Sequence, residues 1–200
     1  RRGGREAHRR LPARAGVKAV FLDTEYDPGT LTLLQLAYIE VQGGRRVCRN
    51  FFFRAEAVEA RVQRLTGLTP GFLCRVGTEP AAVREEVLAA FSGATLAAHH
   101  LNRDKRVLQR AFGPLPNRYG LCTMYRFARV LCLPGGRPYK MPSLLELCAH
   151  YGVSEEAIAR AARADFGAET AAHDARFDAE AVCLCAQAAA ARGDLRDLFH

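Results

Sequence analysis

The 200-residue sequence lacks most of the features that would assign a class at once. No apolar run approaches the roughly 18 residues of a membrane span, and the basic N-terminus is not followed by the apolar stretch of a signal peptide. These two absences point to a soluble, intracellular protein, cytoplasmic or nuclear. Seven cysteines form an odd set with no regular spacing, which speaks for scattered reduced thiols rather than a disulfide framework or a zinc site. Cys183 and Cys185 would point to opposite sides of a helix and make a poor chelating pair. Repeats, an internal linker and a second domain are also missing.

What is present is ordinary globular chemistry, with 49% hydrophobic and 25% charged residues in a chain long enough for one real core. The net charge of +8 is uneven. Residues 1–18 hold seven Lys or Arg against one acid, Glu6, so the rest of the chain is close to neutral. Gly3, Gly4, Pro12 and Gly16 break that leader up, and a flexible basic arm is expected over residues 1–16, ahead of one domain over 17–200. Such an arm attracts polyanions, and it also fits a merely solvated terminus; charge alone separates neither reading. The first residue is Arg1, which is compatible with a chain cut from a longer polypeptide.

Periodicity outlines the elements. Val17–Asp23 reads as a buried central strand, Leu31–Val41 and Arg46–Phe53 as two more after turns at Asp27-Pro28-Gly29 and Gly43-Gly44. Pro80–Phe91 has helical spacing, with Thr78 as a candidate cap and Gly93 after its end. A short strand at Ala94–Ala98 leads to a helix at Asn102–Phe112, and Leu121–Leu131 reads as a strand end passing into a helix. Helices follow at Ser143–Tyr151 and Ser154–Ala164, and a long one at Ala175–Ala191 is stopped by Gly193. A strand meander followed by alternating strands and helices predicts a layered α/β domain. Phe51–Phe53 reads as core rather than a stacking surface.

The chemistry sits at the ends of these elements. Asp23 and Glu25 close the first strand, and alternation puts both carboxylates on one side. Asp104 falls in the first turn of the helix after Ala94–Ala98, where the helix dipole alone would favour an acid. Asp178 belongs to the last helix. His173 lies five residues earlier, about 140° away around a helix, so it must precede the helix to lean over the same site.

Together the strings FLDTEYD, LAAHHLNRDKRVL and HDARFDAEAV resemble the three motifs of the DnaQ-like (DEDDh) exonucleases of the ribonuclease-H-like superfamily. Leu65–Thr69 (LTGLT) and Ser143–Cys148 (SLLELC) resemble further segments of that family, in order, over about residues 17–192. The resemblance implies a mixed sheet, its first three strands antiparallel, flanked by helices. It implies a metal-dependent 3′→5′ exonuclease acting on DNA or RNA 3′ ends, preferably single-stranded. Its implied metal ligands are Asp23, Glu25, Asp104 and Asp178, holding two Mg²⁺ or Mn²⁺ ions with Asp23 shared. An imidazole, with an ordinary pKa of about 6.5, suits a general base near neutral pH. The resemblance gives His173 that role. Departures from the family pattern are Tyr26, Gln35, His100 and Arg103; Thr24, Tyr26, His100 and Arg103 are expected near a terminal nucleotide. His99 matches a family histidine of structural role. A catalytically silent nucleic-acid-binding module and a small-nucleotide phosphodiesterase are the alternatives, the first disfavoured because a pure binder has no reason to keep four mutually repelling acids. A homodimer, or a place in a larger replication, repair or RNA-processing assembly, is compatible with the sequence.

Overall fold

The computed structural model describes residues 17–195. The basic arm expected over residues 1–16 lies outside them, as do the last five residues. Five strands form a single sheet: β1 (Lys18–Asp27), β2 (Thr32–Gln42), β3 (Arg45–Phe52), β4 (Thr95–Ala98) and β5 (Tyr119–Cys122), in the order β3-β2-β1-β4-β5. The meander β1–β2–β3 is antiparallel, and β4 and β5 join parallel to β1. Among the described residues there are eight helices: α1 (Ala60–Thr66), α2 (Pro70–Val76), α3 (Pro80–Phe91), α4 (Leu101–Phe112), α5 (Thr123–Leu131), α6 (Leu144–Tyr151), α7 (Glu155–Phe166) and α8 (Ala175–Arg192).

The sheet is covered on both faces, which explains the nearly continuous apolar run of β1. Phe21, Ala37, Ile39 and Ala97 on one face pack with α8, α6 and α7. Val20, Leu22, Tyr38, Leu96 and Ala98 on the other pack with α3 and α4. Each Phe or Leu fully buried in these layers contributes about 1.5–3 kcal/mol. α8 is the central helix, with ten of its eighteen residues buried, and its many alanines allow close approach to β1 and β2. Of the three consecutive phenylalanines, Phe53 is buried and Phe52 meets the Phe72 ring edge-on at 5.1 Å, as core residues do.

Most helix ends follow from local chemistry. Ser143 and Glu146 form a capping box on α6, Ser154 caps α7, and Gly193, at φ 84°, closes α8. Two differences from the sequence expectation stand out. The N-cap of α3 is Glu79 without a side-chain bond, while Thr78 instead bridges to Phe53 beside the sheet. The short helices α1 and α2 occupy a stretch for which periodicity predicted no element. Among the described residues, no helix is long and apolar enough to cross a membrane.

Candidate metal centre

The centre exists because β1 outruns its parallel neighbour. β1 pairs with β4 only over Ala19–Phe21, opposite Thr95–Ala97, and then continues to Asp27 alongside β2. β4 instead turns away through His99 and His100 into α4. A crevice therefore opens beyond the carboxyl ends of two parallel strands, the usual place for a site in such sheets. Asp23 and Glu25 project from β1 toward the α8 side, as their alternation with Phe21 requires. Asp104 arrives from α4, on the other face of the sheet, and Asp178 from the first turn of α8.

Asp104 is only 5% exposed. Its Oδ1 accepts a 2.8 Å hydrogen bond from the hydroxyl of Thr24, itself 6% exposed. Thr24 was expected near substrate; strand alternation turns it to the α4 face, where it orients a carboxylate instead. Burial pushes Asp104 up to about 6, with the Thr24 bond, nearby backbone N–H groups and the Arg103 charge holding it down. Burial, then the charges of Asp178, Asp104 and Glu25, hold Asp23 well above the ordinary carboxylate range. Glu25 is pushed up to about 8 by burial, Asp178, Asp174 and Asp104. Burial lifts Asp178 to about 7, against a hydrogen bond from the His173 backbone. Four carboxylates from three stretches of chain thus act on one another, and at neutral pH such a cluster takes up protons or cations.

His173 stands just before α8, as its spacing required, with Asp174 at the N-cap. Its φ of 66° lies in the left-handed region, uncommon for a residue other than glycine. The exposed imidazole, Glu25 and Asp178 offer ligand atoms all within 4.8 Å of one another. Asp174, Arg176 and Gln35 hold this corner in place, and of the three the sequence pattern singled out only Gln35. The Asp174 carboxylate accepts from the Arg176 backbone at 3.0 Å, from the Arg176 guanidinium at 2.9 and 2.6 Å, and from Gln35 Nε2 at 3.0 Å. Gln35, 1% exposed, also donates to Asn50 and accepts from the Ala175 N–H, tying α8 to β2. A glutamate at position 35 would turn a donor toward Asp174 into a second buried acid. The signal available in sequence was Asp174 itself, an acid in the N-cap position directly before a helical run.

The other expected substrate residues ring the crevice unevenly. Tyr26 is half-buried against the α3–α4 core. His100 forms the N-cap of α4, its ring 6.3 Å from that of Tyr125 and its buried Nδ1 without a hydrogen-bond partner. Burial and the neighbouring Arg103 charge lower its pKa, so the ring is neutral at physiological pH. Arg103 is exposed one residue before Asp104. His99 bridges Thr123 Oγ1 at 3.1 Å and the Pro142 carbonyl at 2.9 Å, joining β4 to α5 and the loop before α6.

Cys48, Asp165 and Glu180 also lie within 4.8 Å of one another. There the cation is already supplied, because Arg46 Nη2 sits 2.5 Å from both carboxylates. Burial pushes Glu180 up to about 8, against the Arg46 charge that holds it down. This is a structural clasp of β3, α7 and α8 rather than a metal site. A cavity of about 500 Å³ lined by Lys18, Tyr38, Glu40, Arg45 and Arg49 opens on the α3 side, on the sheet face opposite Asp23 and Glu25. The seven cysteines are all free thiols.

The fold is ribonuclease-H-like, a mixed five-stranded sheet flanked by helices, and it carries an acidic, oxygen-donor cluster where β1 outruns β4. Comparison with known proteins places the fold. A moderately thermophilic Exonuclease I from Methylocaldum szegediense has a similar solved structure, with a TM-score of 0.65 at 17% identity over 92% of this chain. The match covers 42% of that protein, so this chain spans less than half of its length. No family model matches the sequence, and no curated protein does either.

Proposed function

We propose that this chain is a metal-dependent 3′→5′ exonuclease of the DnaQ-like (DEDDh) type, hydrolysing phosphodiester bonds at nucleic-acid 3′ ends. The observation that carries this reading is the convergence of Asp23, Glu25, Asp104 and Asp178 from β1, α4 and α8, with His173 at their margin. The fold likeness to an exonuclease agrees with it.

The donor set fits hard divalent cations, since it offers carboxylate oxygens and no thiolate, and Mg²⁺ or Mn²⁺ follows from that chemistry. Asp23, Glu25, Asp104 and Asp178 would hold such ions. When bound, they neutralise charge on the scissile phosphate and lower the pKa of a water in their coordination shell. The protein supplies the remainder. An imidazole nitrogen of His173 takes a proton from the attacking water, within reach of Glu25 and Asp178. The Asp174–Gln35–Arg176 network keeps His173 in its left-handed conformation. Thr24 keeps the Asp104 carboxylate turned into the crevice. Tyr26, His100 and Arg103 border the space for the terminal nucleotide. A single-stranded end is favoured because the terminus must enter a recess, and unpairing a duplex end costs energy.

The test uses a 5′-labelled single strand with Mg²⁺, Mn²⁺ or EDTA. Stepwise shortening from the 3′ end, abolished by EDTA, is expected. No cleavage, or cleavage of mononucleotide esters alone, would overturn the reading.

A further inference from the structure

The carboxylate cluster leaves the neighbouring surface on the β5 side without a role, and that surface has an unusual charge. Between Ser92 and Pro142 the chain carries nine Lys or Arg and a single acid, Asp104, which is buried in the cluster. Arg103, Arg106 and Arg110 are exposed on α4, Arg118 just before β5, and Arg129 on α5. The near-neutral average of the domain conceals this separation. α4 packs on one sheet face and α5 on the other, so these charges flank the β5 edge from both sides, and exposed positive charge gains from meeting a polyanion.

Two rings stand out in that basic setting. Tyr119, on the edge strand β5, is 58% exposed, and Tyr125, at the start of α5, is 50% exposed. The Arg118 guanidinium lies over the Tyr119 ring, 5.0 Å from its centroid. Tyr125 adjoins the His100 ring, and His100 begins the helix that delivers Asp104 to the cluster. Tyr119, beside Thr95 at the far end of β5, and Tyr125, next to the ring that begins the Asp104 helix, thus mark two points along the sheet edge on the way to the carboxylates. Unpaired bases stack on exposed aromatic rings while basic side chains follow the backbone, whereas a protein interface core is depleted of charge.

We propose that the β5–α5 edge is the track for the single-stranded chain leading into the carboxylate cluster. Tyr125 and Tyr119 stack on bases, and Arg118 and Arg129 contact phosphates. The inference rests on reading the cluster as a nuclease centre, and it gives a physical origin for single-strand preference, because duplex bases are not free to stack on tyrosine.

The test is equilibrium binding, by fluorescence anisotropy, of a labelled single strand of about 20 nucleotides in EDTA, where no cutting occurs. Tyr125→Ala should bind about tenfold more weakly, while Tyr125→Phe keeps the ring and the affinity. Arg118→Glu with Arg129→Glu should flatten the plot of log affinity against log salt by about 1.4 or more, at about 0.7 for each lost phosphate contact. Arg160→Glu is the control, on α7, which packs over β3 at the far edge of the sheet, and it should change neither. Native affinity in Tyr125→Ala, an Arg160→Glu loss equal to that of the edge variants, or tighter binding of an acidic peptide to the same edge would overturn the proposal. The same strand with Mn²⁺ separates the two ideas. Binding that depends on Tyr125 without any shortening supports the track and rejects the nuclease centre. Shortening with binding indifferent to Tyr125 rejects the track alone.

Discussion

Replacing Glu25 with glutamine should stabilise the metal-free protein and remove its response to metal. In the fold, burial and three neighbouring acids lift Glu25 from 4.5 to about 8. Below about pH 4.5 the carboxyl is protonated whether the chain is folded or not, and its charge costs nothing. As pH rises toward 8 the unfolded chain ionises first, so folding becomes progressively less favourable across that window. At about pH 7 the difference is on the order of 3 kcal/mol, and solvent at the partly exposed carboxylate brings the expectation to about 1–3 kcal/mol. For a domain of this size, Glu25→Gln should then melt about 3–10 °C above the native protein in EDTA near pH 7. Near pH 4.5 the two should melt together. Millimolar Mn²⁺ should raise the native melting temperature and reverse the order, because the variant lacks a ligand. Scanning calorimetry at the two pH values, with and without metal, reads all three effects. A Glu25→Gln protein less stable than native in EDTA at pH 7, or equally stabilised at both pH values, would refute the reasoning.

Thr24→Val removes the buried hydroxyl that orients Asp104 and should cost about 1 kcal/mol of stability, with weaker metal binding by calorimetric titration. Gln35→Glu sets a second acid against Asp174 and should destabilise by about 1–3 kcal/mol near neutral pH; in a urea melt the loss should shrink toward acid pH, where the introduced carboxyl protonates. His173→Ala should lose most exonuclease activity while Mn²⁺ still raises the melting temperature, and a fully active variant would remove His173 from the mechanism. Arg46→Met strips the cation from buried Glu180 and its partner Asp165 and should destabilise by about 3 kcal/mol, read by chemical denaturation without metal.

Much of this architecture is legible in the residues, for identifiable reasons. Pro80–Phe91 is a helix to the residue, because proline at its first turn and the apolar spacing agree. Gly193 stops α8 as expected, and His173 precedes it because five residues of helix could not have shared a face with Asp178. β1 extends four residues past the predicted Asp23, since pairing with β2 carries polar residues that its own composition would not. α1 and α2 escape because seven residues give two turns, too few for a period to emerge. In the site, the resemblance singled out the four carboxylates, but local pattern could not say that Thr24 serves Asp104 or that Gln35 reaches Asp174 across 139 residues. Those contacts depend on how β1 and β2 pass the ends of α4 and α8. The basic edge was hidden by averaging, since summed charge records amount and not place.

The most direct test is diffraction from crystals soaked in Mn²⁺, with anomalous scattering used to find the ions. The account predicts two peaks about 3.5–4 Å apart, bounded by Asp23, Glu25, Asp104 and Asp178. Manganese bound only elsewhere, at Cys48, Asp165 and Glu180 or on the surface, with the four carboxylates bare, would contradict it.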